Sequence, residues 1–244
     1  MSEPLQIDFI TAFPGMFEGF LSESIPARAA AAGLVRMRTV DLRDFSSDRR
    51  RTVDDRPYGG GPGMLMKPEP WYQAVEAVRT PGARIILTSP SGRRYAQRDA
   101  GLFASATHLV MLCGRYEGFD ERIKRLATDE ISIGDFVLSG GEIPAAAIAD
   151  SVIRLLPGAI GGGREATESE SFGSSGMLES PQYTRPPEFR GMKVPETLVS
   201  GNHAETADWR KRQAVDLTAR RRPELLAQGG TFAAGYDDLT RESR

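Results

Sequence analysis

The sequence predicts an α/β domain with a mainly parallel sheet, followed by a small helical domain. Three observations support this. Strand-length apolar runs alternate with segments of helical spacing over residues 1–158, residues 159–176 lose that periodicity, and helical segments return after them. The predicted divisions are an α/β domain at 1–158, a flexible interdomain linker at 159–176 and a helical domain at 177–244. A chain of 244 residues has room for one large domain and an appendage.

The first elements follow from periodicity and from glycine and proline positions. Ile7–Phe13 is an apolar run that ends at Pro14-Gly15, which predicts the first strand. Met16–Ala32 has helical spacing, and Gly33 is a typical residue to stop a helix. Leu34–Leu42 alternates apolar and polar residues, which predicts the second strand. Residues 43–66 then form a long irregular segment, and loops of that length in a compact domain are usually functional or disordered.

The remaining elements continue the alternation of strand and helix, which favours a parallel sheet. Predicted strands follow at Arg84–Thr88, Leu109–Cys113 and Ile131–Leu138. Predicted helices follow at Pro68–Val78, Ala96–Ser105, Phe119–Ala127, Ile143–Leu156, Asn202–Ala219 and Pro223–Gln228.

Composition excludes several classes of protein. The longest apolar stretches are too short to span a bilayer, and the N-terminus lacks a signal-like run, so we expect a cytoplasmic protein without membrane contact. Cys113 is the sole cysteine, which excludes an internal disulfide and favours a small buried hydrophobic residue. The net charge of −2 means that any nucleic-acid surface must be a local patch.

Glycine-rich loops recur at the predicted connections between a strand and the following helix. They lie at Ser89–Gly92, Gly114–Gly118 and Gly134–Gly141, and loops at the carboxyl ends of parallel strands share one edge of the sheet. Their backbone could grip a purine, and the carboxylates of Glu117 and Asp135 would suit a cationic ligand. The P-loop spacing and the G-x-G-x-x-G fingerprint are both absent, so an ordinary nucleotide site is not expected.

Two further segments carry candidate function. The linker holds Glu165, Glu168 and Glu170, and a carboxylate on a mobile segment can act as a general base once substrate orders it. Residues 210–222 contain six basic residues against one acidic residue, which is typical of phosphate contacts but also of a solvated helix face. The Asp54–Gly63 loop has four glycines in its last five residues, which indicates either close backbone contact with a ligand or a disordered loop.

Five motifs resemble those of the bacterial tRNA (guanine-N1)-methyltransferases, the TrmD family of the SPOUT class. They are VDDRPYGGGPGM at 53–64, GRYEG at 114–118, SIGDFVLSGGE at 132–142, YTRP at 183–186 and SGNHAE at 200–205. The resemblance runs from about Ile7 to Leu226 with the motifs in the family's order. It implies a deep trefoil knot in the α/β domain, S-adenosyl-L-methionine as methyl donor, a homodimer with active sites at the interface, and magnesium dependence. No residue cluster suggests a dedicated octahedral metal site.

The implied reaction is direct methyl transfer to N1 of the guanine immediately 3′ to the anticodon, position 37 of tRNA, a modification that prevents frameshifting. By resemblance, the cofactor-binding residues are Ser89, Pro90, Gly114, Tyr116, Glu117, Gly118, Ile133, Gly134, Asp135, Phe136, Val137, Leu138, Gly140, Gly141 and Pro144. The substrate-binding residues are Pro57, Tyr58 and Gly59 near the target base, and Arg210, Lys211 and Arg212 on the tRNA stem.

Two residues are implied to be catalytic. Arg154 matches the arginine that stabilises the guanine as N1 loses its proton. The family places an aspartate as general base just before Ser-Phe, whereas here Glu170 precedes Ser171-Phe172 in a linker about one residue longer. We therefore assign Glu170 as the base, with Glu168 as the alternative. Two other functions stay open on sequence: a SPOUT enzyme with a different target, and a non-enzymatic RNA-binding module.

Overall fold

A computed structural model describes residues 3–227, which divide into two compact units between Gly161 and Gly162. The first unit holds a five-stranded sheet in the order β2-β1-β6-β5-β7. Its strands are β1 (Leu5–Thr11), β2 (Val35–Asp41), β5 (Arg84–Arg94), β6 (His108–Leu112) and β7 (Asp129–Ser132), and every neighbouring pair is parallel. The prediction of an α/β domain with a parallel sheet is confirmed.

The predicted single helix at Met16–Ala32 is wrong. The segment contains a 3₁₀ turn (Pro14–Phe17), α1 (Glu18–Ser22) and α2 (Ser24–Ala31). The break lies at Glu23, which is extended, and at Ser24, whose φ is 56°. Pro26 explains the new start, because proline lacks an N–H and is tolerated only in the first turn of a helix.

Small elements organise the irregular segment between β2 and β5. After β2 comes a 3₁₀ turn (Leu42–Phe45), and a two-residue hairpin follows, β3 (Asp54–Asp55) with β4 (Leu65–Met66). Helix α3 (Pro68–Val78) then packs its apolar side under the sheet, where the Trp71 side chain is fully buried.

Around β6 and β7 the periodicity predicted the wrong kind of element twice. Helix α4 (Gln97–Ala104) lies within its predicted range, but the charged segment predicted as a helix at Phe119–Ala127 is a 3₁₀ helix, Glu121–Leu126. The predicted strand Ile131–Leu138 is wrong beyond Ser132, because β7 ends there and the following apolar residues form a loop. Helix α5 (Glu142–Ile153) follows that loop.

Strand β5 is longer than predicted because a bulge interrupts its pairing with β7. Thr88 and Arg93 both pair with Ile131, so residues 89–92 loop out from the ladder. These residues include Ser89 and Pro90, which the sequence placed at a ligand-binding edge.

Buried apolar side chains cover both faces of the sheet. One cluster joins β1, β6 and α5 through residues such as Phe9, Met111 and Ile148. The other joins β1, β6 and α3 through residues such as Ile10 and Trp71. Cys113 is fully buried just after β6, as predicted, and burial raises the pKa of its thiol well above the usual value.

A buried polar network lies at the amino end of β6. The Asp8 carboxylate is fully buried and lies 2.7 Å from Arg38 Nε and 3.2 Å from His108 Nε2. His108 Nδ1 lies 2.9 Å from Thr80 Oγ1. Burial acts to raise the pKa of Asp8, but the hydrogen bonds from His108 and Arg38 and the Arg38 charge lower it to about 2. The network therefore holds a charged carboxylate inside the fold.

The second unit is built from short elements and one long helix. Its elements are α6 (Gly163–Glu168), β8 (Glu188–Phe189), β9 (Met192–Lys193), α7 (Glu196–Val199), α8 (His203–Arg221) and α9 (Pro223–Ala227). Helix α6 lies within the segment predicted as an interdomain linker, 159–176. After it, the Ser174 N–H donates to Glu168 O at 3.0 Å and the Phe172 N–H donates to Met177 O at 2.8 Å.

The asparagine cap explains where α8 begins, since the side chain of Asn202 accepts a hydrogen bond from the Glu205 N–H. Gln228, the last residue of the predicted final helix, and residues 229–244 of the predicted helical domain lie outside the described residues. Within residues 3–227, every helix is too short or too polar to cross a bilayer.

Candidate active site

A cavity of about 450 Å³ lies at the carboxyl ends of β6 and β7, beside the bulge of β5. This volume is within the range of small-molecule sites in proteins. Three loops line it: the β5 bulge, the loop after β6 and the loop after β7. The lining residues are Thr88, Ser89, Pro90, Ser91, Gly114, Arg115, Tyr116, Glu117, Gly118, Phe119, Glu121, Lys124, Ile131, Ser132, Ile133, Gly134, Phe136, Val137, Leu138, Ser139, Gly140, Gly141 and Pro144.

Backbone hydrogen bonds join the loop after β6 to the loop after β7. The Gly141 N–H donates to Gly114 O at 2.8 Å, and Arg115 forms an isolated antiparallel bridge with Gly140. A Cβ at position 141 would lie 2.8 Å from the Cα of Cys113, so only glycine allows this close approach. The loop pairing thereby fixes one wall of the cavity.

An ion pair between a half-buried arginine and a buried glutamate stabilises the same wall. Glu142 begins α5 and is 1% exposed, and its Oε2 lies 3.0 Å from Arg115 Nε. Thr11 Oγ1 donates to Glu142 Oε1 at 2.7 Å, and Arg115 Nη1 donates to Ser139 O at 3.3 Å. The pair therefore joins the end of β1, both cavity loops and the start of α5.

A second wall, formed by the β5 bulge, carries a series of hydrogen bonds between hydroxyl groups and a carboxylate. Ser89 Oγ lies 2.8 Å from Ser91 Oγ, which donates to Glu130 Oε1 at 2.7 Å. Lys124 Nζ lies 3.6 Å from Glu130 Oε1. Burial acts to raise the pKa of Glu130, but the serine hydrogen bonds and the Lys124 charge lower it overall. Glu130 thus stays ionised and holds the β5 bulge in place.

The glycine-rich loop between β3 and β4 is anchored to the cavity at its far end. The Glu117 N–H donates to Met64 O at 3.0 Å, and the Met66 N–H donates to Gly118 O at 2.9 Å. Gly63 has a φ of +79°, and a Cβ there would lie 2.8 Å from Glu117 Cδ. The loop therefore approaches a residue that lines the cavity.

The structure brings fourteen of the fifteen predicted cofactor-binding residues to the cavity. Asp135 is the exception, because its side chain is 85% exposed and forms an ion pair with Arg94 instead. Sequence reasoning missed further lining residues: Thr88, Ser91, Arg115, Phe119, Glu121, Lys124, Ile131, Ser132 and Ser139. Arg115 and Ser139 lie inside the glycine motifs, so their positions in the chain could have identified them as cavity residues. Lys124 lies on the 3₁₀ helix and carried no such signal.

In the first unit, the other predicted residues lie apart from the cavity lining. Arg154 caps the carboxyl end of α5, ten residues after Pro144, so a rise of 1.5 Å per residue separates their backbones by about 15 Å. Tyr58 is fully exposed in the glycine-rich loop, between Pro57 and Gly59. In the second unit, Glu170 O accepts a hydrogen bond from the Gly173 N–H at 2.9 Å, in the turn that follows α6.

Comparison with known proteins settles the family. The model of the family described as tRNA (Guanine-1)-methyltransferase TrmD matches residues 5–228. The chain belongs to this family. It is 56% identical over 225 residues to a tRNA (guanine-N(1)-)-methyltransferase of Geobacillus kaustophilus, with 91% of each chain covered. It is 52% identical over 226 residues to that of Bacillus subtilis, covering 91% of this chain and 92% of the relative. Anaeromyxobacter sp. (strain K) has a relative of the same name, 51% identical over 227 residues.

Membership of the TrmD family makes the chain a tRNA (guanine-N1)-methyltransferase. The match extends beyond the cavity-forming unit and covers most of the second unit. The alternative of a non-enzymatic RNA-binding module is therefore wrong.

Proposed function

We propose that the chain methylates N1 of the guanine immediately 3′ to the anticodon of tRNA, position 37, with S-adenosylmethionine as donor. One observation carries this proposal: three loops predicted to bind the donor line a single cavity in a member of a tRNA (guanine-N1)-methyltransferase family. By family expectation the modification prevents frameshifting, and the enzyme acts in the cytoplasm.

The chemistry of the cavity fits this donor. The backbone of residues 133–138 offers amides and carbonyls for a purine, and Tyr116, Leu138 and Pro144 offer apolar surface. The Glu117 carboxylate suits a cationic group. When bound, S-adenosylmethionine supplies a methyl group carried on a positively charged sulfur. The residues proposed to hold it are the fourteen predicted ones that line the cavity, without Asp135.

Two residues are proposed to act on the guanine. N1 of neutral guanine carries a proton, so it becomes nucleophilic only when a base removes that proton. Glu170 is proposed as this base, and a positioned base typically contributes about 10²–10⁴-fold to a rate. Arg154 is proposed to stabilise the negative charge that develops on O6, which is a preorganised electrostatic role.

We further propose that the active enzyme is a homodimer. Arg154 lies about 15 Å along α5 from Pro144, so a second copy is a natural way to bring an arginine to the cavity. Exposed apolar side chains at the cavity support this, since Phe136 is 54% exposed and Val137 is 84% exposed. A patch of this kind commonly marks a protein interface.

The tRNA contacts are proposed on two surfaces. Pro57, Tyr58 and Gly59 would meet the target base, because the exposed Tyr58 ring is available for stacking. Arg210, Lys211 and Arg212 lie exposed on α8 and would contact phosphates of the anticodon stem.

Two family features remain part of the proposal. The trefoil knot is supported by the backbone contacts between the loops after β6 and β7. For magnesium, residues 3–227 contain no group of three or more potential ligating side chains. We propose that the substrate or the donor supplies some of the ligands of any required ion.

Methyl transfer to defined transcripts tests the proposal. A tRNA transcript with guanine 3′ to the anticodon is incubated with the enzyme and labelled S-adenosylmethionine, and the modified position is mapped. We expect one N1-methylguanine at position 37 and no label in a transcript with adenine there. Methylation of a ribose or of another base would instead favour a different SPOUT activity.

A further inference from the structure

The hairpin formed by β8 and β9 has a locally determined shape. Glu188 pairs with Lys193 and Phe189 pairs with Met192 across the two strands. The two turn residues, Arg190 and Gly191, have φ values of 52° and 79°, as a two-residue type I′ turn requires. The Val194 N–H extends the pairing by donating to Pro187 O at 2.9 Å.

Within residues 3–227, this hairpin leaves two apolar side chains largely exposed. Phe189 is 56% exposed and Met192 is 65% exposed, and every residue from 182 to 193 is exposed. A two-stranded hairpin is only marginally stable in water without an apolar surface to bury. A paired phenylalanine and methionine at an exposed tip therefore indicate a surface that meets a partner.

Charge and ring geometry favour RNA as that partner. Residues 185–193 carry three cations, Arg185, Arg190 and Lys193, against the single carboxylate of Glu188, which lies 3.9 Å from Lys193 Nζ. The guanidinium carbon of Arg190 lies 5.2 Å from the centroid of the Phe189 ring. An aromatic ring beside cations suits an unpaired base and its phosphates. Phenylalanine, methionine and arginine are also common at protein interfaces, but lysine is depleted there, so the presence of Lys193 favours RNA.

We propose that the tip of this hairpin, residues 189–193, is an RNA contact in which Phe189 stacks on an unpaired base of the tRNA. Arg190 and Lys193 bind the neighbouring phosphates. This inference rests on the proposal that the second unit binds tRNA, and it adds a contact outside the basic segment of α8.

The test compares full-length variants in binding to the tRNA transcript that carries guanine 3′ to the anticodon. Phe189→Ala should weaken binding by about 5- to 150-fold, the equivalent of one lost base stack. Phe189→Trp should restore the affinity because it keeps a flat ring. Val199→Ala is the matched control, since Val199 is apolar, 61% exposed and in the same unit. Calorimetry should show unchanged S-adenosylmethionine affinity in all three variants.

A salt titration tests the phosphate contacts separately. Arg190→Gln and Lys193→Gln should each reduce the slope of log affinity against log salt by about 0.7–0.9, as expected for one lost phosphate contact. Slopes equal to that of the wild type would overturn this part of the proposal.

Two outcomes would overturn the stacking proposal. In the first, Phe189→Ala binds the transcript as tightly as the wild type. In the second, RNA affinity is again unchanged, but sedimentation shows that Phe189→Ala changes the oligomeric state. That result would mean that the hairpin contacts a second copy of the chain. Failure of the proposed function is distinct, because the wild-type enzyme would then leave the guanine 3′ to the anticodon unmethylated.

Discussion

The two units differ most in how much their side chains bury. In the first unit, apolar clusters cover both faces of a five-stranded parallel sheet. In the second unit, among the residues whose burial is described, Met177, Ser180, Val215 and Thr218 are the buried ones. Two of these four are polar, and the Thr218 hydroxyl bonds to Leu178 N and Ala214 O rather than packing in an apolar core.

The difference in burial suits the first unit to a preformed site and the second unit to a surface that can adapt. The cavity lies in the first unit, where backbone bonds and the Arg115–Glu142 pair hold its walls. Up to Ala227, the second unit exposes its basic side chains and the rings of Phe172, Tyr183 and Phe189, and it has little apolar burial to resist local opening. We infer that the proposed donor cavity is rigid before substrate arrives, whereas the elements proposed to contact tRNA gain order from the RNA.

The largest expected effect comes from a carboxylate in the weakly buried unit. Glu170→Gln should lower turnover by about 10²–10⁴-fold, because an amide cannot take the N1 proton. S-adenosylmethionine binding should survive, since the cavity belongs to the other unit. Single-turnover methyl transfer and calorimetry measure the two quantities.

Glu168→Gln is the matched control and should keep its turnover. Near-full activity in Glu170→Gln together with loss of activity in Glu168→Gln would reassign the base to Glu168.

The next effect tests the rigidity of the cavity wall. Gly141→Ala should weaken S-adenosylmethionine binding by about 5- to 150-fold, since overpacking by one methyl group costs about 1–3 kcal/mol. The backbone of Cys113 and Gly114 lies within 3 Å of the new Cβ and cannot move aside cheaply. Calorimetry measures the loss.

Gly101→Ala in α4 is the control, because its Cβ would project into open space. It should leave donor affinity unchanged and stabilise the protein by about 0.5–1 kcal/mol. Equal donor affinity in both variants would show that the wall is more adaptable than its contacts indicate.

The buried carboxylate of the first unit should give a pH-dependent stability. The pKa of Asp8 in the folded protein is about 2, below its ordinary value of 3.8. The contribution of its charge to the free energy of unfolding is therefore fully present above pH 4 and is lost as pH falls towards 2. The shift of almost two units corresponds to about 2 kcal/mol. Urea unfolding at pH 7 should show Asp8→Asn less stable by about this amount.

The same comparison repeated at lower pH sharpens the assignment. Wild type and Asp8→Asn should converge in stability as pH falls from 4 towards 2. A constant difference across that range would mean that the loss comes from packing and not from the charged network.

The same substitution, valine to alanine, should have different effects in the two units, and the smallest effect is expected in the second. Val75→Ala should cost about 2 kcal/mol, because Val75 is fully buried in α3 and its removal leaves a cavity. Val215→Ala in α8 should cost less than about 1 kcal/mol. Few buried side chains surround Val215, so its neighbours can move in and fill the space that the smaller side chain leaves. Amide hydrogen exchange reports each unit separately. Equal losses would contradict the difference in burial between the units.

Local patterns predicted much of the fold. The apolar runs of β1 and β6 and the helical spacing of α3 and α8 are properties of short segments, so each was located within a few residues. The apolar run at 133–138 misled for a physical reason. Phe136, Val137 and Leu138 are exposed around the cavity instead of facing a neighbouring strand. Periodicity cannot distinguish those two uses of an apolar side chain.

The sequence by itself determined the class of sheet, the glycine loops and, through its motifs, the family. Only the tertiary structure decided the strand order, the burial of Glu142 against Thr11 and Arg115, and the pairing of Asp135 with Arg94. These features depend on contacts between residues far apart in the chain. Such contacts form only when the whole sheet assembles, so short-range patterns do not encode them.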